Sequence, residues 1–293
     1  MVKFSRILLP VDFSERCLGM THYARALAEK YGSELILLHV VNPVFITPEL
    51  GGAPPATIAV PQWLITEKNR LLEEFATPEL AGLEVRRLVY EGIPEMQIAE
   101  IAKSEDIQLV VMPTHGYGVL RRFLIGSVTA KVLDDLPMAV LTGIHMEKHV
   151  HDQKEEFPVI ACAIDLNPAS AGTLFAAATL ARDFGAKLGV IHVSRPLGKG
   201  NPPNPADLQP QLEELVAGEL AKNNFSFAPG RLVSAVESGE IAATICGFAE
   251  RINAKLLVVG RDHLEEGTEK PTGRLRPHTY SIIRQATCPV LSL

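Results

Sequence analysis

The sequence predicts an α/β protein in which one parallel-sheet unit is built twice. Three observations carry this expectation. Short apolar runs without polar alternation recur along the chain, as strands buried on both faces require. Between them lie stretches whose apolar residues fall at helical spacing. The whole pattern then repeats: Asp12 and Asp165 are 153 positions apart, and so are His39 and His192. A chain of 293 residues has room for two domains of ordinary size.

The elements follow in order. The first strand is expected at Ile7-Leu8-Leu9-Pro10-Val11-Asp12, repeated as Ile160-Ala161-Cys162-Ala163-Ile164-Asp165. Each run is apolar and ends on an aspartate. Helical spacing runs through 24–32 and again through 177–185, where Gly32 and Gly185 suit left-handed C-caps. Second strands follow at 35–40 and 188–193, each closing on His-Val. Residues 43–61 and 195–210 are rich in glycine and proline and are expected as flexible loops. The amphipathic stretch 63–75 resumes the first half, with Leu64, Leu71 and Leu72 facing the core. Trp63 is expected to pack there.

A helix from Met96 follows Tyr90-Glu91-Gly92-Ile93-Pro94, and one from Ile241 follows Glu237-Ser238-Gly239-Glu240. Strands at 109–113 and 256–260 lie 147 positions apart, and closing strands at 138–141 and 288–291 lie 150 apart. Each half thus reads β-α-β-α-β-α-β-α-β, with right-handed crossovers. A polar run over 143–157 joins the halves. The expected division is a domain over 1–144, a linker over 145–156 and a domain over 157–293. His145, His149 and His151 in that run read as solvated linker residues, because no confined carboxylates or cysteines accompany them.

The composition, 47% hydrophobic and 21% charged, is that of a globular protein. No apolar run approaches the roughly 20 residues that cross a bilayer. The N-terminal apolar segment leads straight into Asp12 without a small-residue cleavage site, so a buried strand is expected there rather than a signal peptide. A net charge of −6 argues against a dedicated nucleic-acid binder. Cys17, Cys162, Cys246 and Cys288 are scattered and form no C-x-x-C pair. They read as reduced thiols, with the cytoplasm as the expected location.

The most chemically informative stretch is Val111-Met112-Pro113-Thr114-His115-Gly116-Tyr117-Gly118, followed by Gly126-Ser127-Val128-Thr129. In an open parallel sheet, ligands bind beyond the carboxyl ends of the strands, where the strand order reverses. The strand at 109–112 ends at such a place. Glycines let backbone approach an anion, and the free N–H groups opening a helix at Gly126 would point at phosphate. Taken alone, a glycine turn and a helix cap account for these residues equally well.

The full arrangement resembles the universal stress protein family, whose ATP-binding members carry G-x-x-G-x9-G-[ST]. Here the pattern reads Pro113-x-x-Gly116-x9-Gly126-Ser127, with its spacing intact and its first glycine replaced by proline. Leu9-Pro10-Val11-Asp12-Phe13-Ser14, His39-Val40-Val41 and the terminal Pro-Val-Leu element extend the resemblance, which covers both halves as a tandem member. The fold expected is two flavodoxin-like (Rossmann-like) domains, each a five-stranded parallel sheet of order 3-2-1-4-5. The resemblance implies ATP as ligand, with Mg2+ as its candidate companion. It also implies a pseudo-dimer of the two repeats through their last strands, with Val140-Leu141 and Val290-Leu291 as the joined edges. Further association of two chains into a homodimer is a candidate.

For the matched positions, the resemblance implies that Asp12 and Val41 line the adenine side, with Pro10, Val11 and Met112 nearby. Gly116, Gly126, Ser127, Val128 and Thr129 would hold ribose and phosphates, with His115 and Gly118 beside them. Pro113 removes one backbone N–H. Arg121 and Arg122 are candidates to reach terminal phosphates, and a solvated loop explains them equally.

The second half departs from the pattern. It keeps Asp165 and Gly260 but has His263 at the second glycine position. Counting forward from His263 gives Gly273-Arg274 for the Gly-Ser pair, whereas counting back from Cys288 gives Arg276-Pro277. Neither fits. Glu265, Glu266 and Glu269 place acid where polyphosphate would lie, although Arg274, Arg276 and His278 offer a different anion site. Loss of the standard ATP site is expected there.

No residue stands out as catalytic. The chain has no G-x-S-x-G elbow and no G-x-x-x-x-G-K-[ST] loop, so fast phosphoryl transfer lacks its usual parts. The expected function is an ATP-binding stress-response regulator in which nucleotide orders residues 43–61 and biases an unknown protein partner. The alternatives are a slow ATPase or nucleotidyl-transfer enzyme, and a non-catalytic scaffold or chaperone-like protein.

Overall fold

The computed structural model describes residues 3–46, 56–115, 125–144, 146, 157–194, 203–261 and 277–293. The first half runs β1 (Arg6–Pro10), α1 (Glu15–Tyr31), β2 (Glu34–Val41), β3 (Val44–Ile46), β4 (Ala56–Ile58), α2 (Gln62–Glu74), β5 (Val85–Glu91), α3 (Pro94–Ser104), β6 (Leu109–Pro113), α4 (Ser127–Asp135) and β7 (Ala139–Gly143). The second runs β8 (Val159–Ala163), α5 (Ala171–Asp183), β9 (Lys187–Ser194), α6 (Pro205–Lys222), β10 (Leu232–Ser238), α7 (Ile241–Arg251), β11 (Leu256–Val259), α8 (Pro277–Gln285) and β12 (Val290–Ser292).

One ten-stranded sheet carries both halves, in the order β10-β9-β8-β11-β12-β7-β6-β1-β2-β5. Within each half the five main strands are parallel and lie third-second-first-fourth-fifth. Strand alternation explains the two-sided burial. Ile7 and Leu9 of β1 enter the core beneath α1, whereas Leu8 enters the core beneath α3 and α4. Helix α1 is capped at both ends. The Ser14 hydroxyl accepts from Cys17 N–H, and Gly32 closes the helix at φ 63°, a left-handed value.

The halves meet where β7 and β12 pair antiparallel, with Leu291 opposite Leu141. Both leucines are buried, and each contributes roughly 1.5–3 kcal/mol by leaving water. Side chains clasp the same junction. Ser292 Oγ donates to Val140 O over 3.1 Å, and Arg261 Nη1 donates to Leu133 O and Leu136 O. Tyr31 Oη reaches Asp183 across the junction at 3.1 Å. The ends of the 143–157 joining run belong to the fold itself: Gly143 closes β7, and Phe157 is buried edge-on to Phe184.

Three expectations need correction. Residues 43–61 are not all loop, because β3 and β4 pair as a two-stranded antiparallel ribbon. The loop expected over 195–210 ends at Asn204, whose side chain accepts Ala206 N–H and starts α6. Pro205 suits the first helical position, and α6 tolerates Pro210 within it. Trp63 does not pack in the core but is 69% exposed. It lies nine residues before Leu72, the buried residue of α2, and at about 100° per residue that is the opposite helix face.

Candidate functional site

After β1 the chain enters α1 on one face of the sheet, and beyond β6 it reaches α4 on the other. The crevice between those departures is the reversal point of the first half. It forms a cavity of about 330 Å³. Pro10, Val11 and Asp12 line it from the end of β1, and Leu38, His39 and Val40 from β2. Pro94 and Ile98 of α3, Met112 and Pro113 of β6, and Gly126, Ser127, Val128 and Thr129 complete the wall.

Its polar groups are few and fixed. Asp12 Oδ1 accepts from Ser14 N–H at 2.9 Å and from Ser14 Oγ at 2.6 Å, so Oδ2 remains an acceptor at the wall. His39 Nδ1 lies 2.7 Å from Val11 O, which assigns the proton to Nδ1. Burial pulls the His39 pKa below its ordinary value, against a smaller opposing effect of that carbonyl. Phe13 packs its ring 4.5 Å from His39 and takes φ 63°, an uncommon conformation for a bulky residue.

The start of α4 supplies the donors. Gly126 is its N-cap at φ −61° and ψ 150°, and no side chain caps the helix. Gly126 N–H donates to Thr114 O at 2.8 Å, and Ala130 N–H makes the first helical bond, to Gly126 O. The N–H groups of Ser127, Val128 and Thr129 therefore lack helical partners at the cavity wall. Among the described residues the nearest atom to a Cβ on Gly126 would be Thr114 O at 3.4 Å, an ordinary contact, so neither φ nor those neighbours demand glycine there.

Nine of the thirteen expected site residues lie on this wall. The Thr129 hydroxyl is already engaged: it donates to Pro113 O at 3.0 Å, pinning α4 to β6. Val41 is not on the wall, being buried with its carbonyl accepting Gly92 N–H. His115 Nδ1 lies 3.0 Å from Thr114 Oγ1, beyond the wall. Gly116, Gly118, Arg121 and Arg122 lie outside the described residues, as do His145, His149 and His151. Sequence reasoning did not single out Leu38, Pro94 or Ile98. The i, i+4 spacing of Pro94 and Ile98 puts both on one face of α3, a signal that also fits plain core packing.

The same place in the second half is a cavity of about 80 Å³, well below the roughly 300 Å³ at which ligand pockets begin. Asp165, Gly260, His278 and Thr279 are on its wall, with Ile241 and Ile245 where the first half has Pro94 and Ile98. The structure also resolves the two counts. Helices α4 and α8 are each nine residues long, and α8 opens on Pro277. Pro277 therefore stands where α4 has Ser127, and a proline brings no N–H. Residues 262–276, with His263, Glu265, Glu266, Glu269, Gly273, Arg274 and Arg276, lie outside the described residues.

Residues 3–142 and 156–293 each match the profile of the universal stress protein family. The chain belongs to that family. Universal stress protein MJ0577 of Methanocaldococcus jannaschii is 30% identical over 145 residues, covering 45% of this chain and 90% of that protein. A universal stress protein structure from Archaeoglobus fulgidus matches 98% of this chain and 95% of its own at 24% identity, with a TM-score of 0.67. A putative universal stress protein structure from Pseudomonas aeruginosa matches 99% and 93% at 18% identity, with a TM-score of 0.64. These two show the universal stress protein fold along the full tandem chain. Among the described residues of this tandem universal stress protein, no group of three or more His, Cys, Asp or Glu is placed to hold a metal. No described helix is long and apolar enough to cross a membrane.

Proposed function

We propose that the N-terminal repeat binds ATP and that the protein is a nucleotide-dependent regulator of a stress response, acting in the cytoplasm. Domain 1 is taken as residues 1–144 and carries the nucleotide, whereas domain 2, residues 157–293, has lost the standard site. The contrast between the two crevices carries this reading: about 330 Å³ with three N–H groups that have no helical partner, against about 80 Å³ with a proline at the helix start. The wall fits a nucleoside phosphate. Leu38, Val40, Ile98 and Met112 offer an apolar slot for a base, and Asp12 Oδ2 offers an acceptor for a sugar hydroxyl or an amino group. The α4 N–H groups suit phosphate oxygens, aided by the positive end of the helix. The room left by the missing Cβ of Gly126, which its described neighbours do not require, supports the same assignment. Mg2+ would sit on the phosphates, held mostly by them and by water, because Asp12 is the acid on the described wall.

Mass spectrometry of nucleotide released from purified, denatured protein tests the reading. One ATP or ADP per chain is expected. Two per chain would mean that the second crevice fills as well. No bound nucleotide, together with no binding at millimolar ATP, would sink the proposal. Rapid multiple turnover that Gly126→Val abolishes would make the protein an enzyme instead.

A further inference from the structure

Beside the cavity, the first half carries an apolar face that its own fold does not need. Among the described residues five large apolar side chains are exposed, and three of them lie close together in the chain. Tyr90, Ile93 and Met96 fall within seven consecutive residues, from the end of β5 to the first turn of α3. Met96 is 61% exposed and Tyr90 42%. The same segment gives Pro94 and Ile98 to the cavity wall.

The second repeat is an internal control. The positions 147 residues further on are Glu237, Glu240 and Ala243. The same strand, turn and helix form there, with Glu240 capping α7 and Glu237 paired to Arg251. Neither the sheet edge nor the turn therefore requires Tyr, Ile and Met. A lone exposed apolar residue is ordinary, whereas a gathered set marks a contact surface.

We propose that this face docks a protein segment whose apolar side chains are flanked by lysine or arginine. Charge decides the partner. From residue 88 to residue 102 the chain holds Glu91, Glu95 and Glu100 and no lysine or arginine. A second copy of the chain, docked on this face across a two-fold axis, would bring those glutamates against themselves. A basic amphipathic segment covers the apolar centre and pairs its cations with the acidic rim. This deepens the regulatory function and rests on it in one respect only: α3 carries both part of the cavity wall and part of the docking face, so nucleotide can bias the partner.

Binding is followed by the fluorescence anisotropy of a labelled peptide. The full chain is titrated with a synthetic amphipathic Leu/Lys peptide, and with a Leu/Glu peptide of equal length, each with and without ATP. A rise in anisotropy with the Leu/Lys peptide alone is expected. Tyr90→Glu, Ile93→Glu and Met96→Ala together install the second repeat's residues and weaken that binding by about tenfold or more. Glu95→Gln with Glu100→Gln weakens it too, whereas Glu213→Gln with Glu214→Gln on α6 leaves it unchanged. Equal response to both peptides, or binding that ignores the face variants, overturns the proposal. Self-association of the chain that the face variants abolish would assign the face to a second copy and also overturn it. Peptide binding that ATP does not alter keeps the docking face and removes only its link to nucleotide. Intact ATP binding without peptide binding sinks the docking face and leaves the nucleotide site.

Discussion

Replacing Ser127 with proline tests the phosphate cradle while disturbing the fold least. Ser127 is the first residue of α4, and its N–H has no helical partner. Gly126 before it holds ψ 150°, the extended value that a residue preceding proline adopts. Proline is favoured at the first helical position, and α8 already opens on Pro277. Ser127→Pro thus removes one N–H and one hydroxyl and leaves the helix standing. A hydrogen bond from that N–H to a phosphate oxygen is charge-assisted, worth about 1.5–3 kcal/mol. At roughly 1.4 kcal/mol per factor of ten, ATP affinity falls about 10- to 150-fold. Ser127→Ala keeps the N–H and removes the hydroxyl, so comparing the two variants separates the atoms. Isothermal titration with ATP at fixed salt gives the affinities, and a thermal melt follows the fold. Wild-type affinity in Ser127→Pro, with an unchanged melt, would show that the Ser127 N–H holds no phosphate.

Other consequences concern the body of the protein. Leu291→Ala opens a cavity at the β7–β12 seam and should cost about 2–5 kcal/mol, read as a lowered midpoint in urea. All four thiols are buried, and burial pushes Cys246 and Cys288 up to about 12 and Cys17 and Cys162 higher still. A thiol reagent at pH 8 should therefore find none of them in the native chain and all four after unfolding. For His39 the unfolded chain takes the proton first, because burial lowers the folded value. Its contribution to stability is whole above about pH 6.5 and is lost as pH falls from there towards the lowered value. His39→Gln should flatten that part of the stability profile, and an unchanged profile would put the titration elsewhere.

The elements that read correctly from sequence are those whose signal is local. The runs at Ile7–Leu9 and Leu109–Met112 are apolar at every position because both faces of the strand are covered. Gly32 marks a left-handed helix end that few other residues adopt freely. The site was legible where a motif is contiguous, as at Gly126, Ser127 and Val128. It was less legible where chemistry depends on a neighbour from elsewhere. The Thr129 hydroxyl is taken by Pro113 O, sixteen residues before it. Composition marked 195–210 as loop, yet Asn204 and Pro205 make a helix start, since a proline costs nothing where its N–H would go unused. Trp63 looked like core because it is large and apolar, whereas its phase relative to Leu72 turns it outward.

The sequence by itself determined the repeat and the alternation of strands and helices, and its resemblance to the family implied the edges that meet at Leu141 and Leu291 and the place of the candidate site. The first two follow from periodicity and from residue types with narrow backbone preferences. The tertiary structure decided the rest: that α8 opens on Pro277 opposite Ser127, that one crevice is about four times the volume of the other, and that an apolar face lies uncovered beside the larger one. The cavity wall draws on segments from Pro10 to Thr129. Its volume depends on how side chains far apart in the chain converge, and no local pattern records that distance.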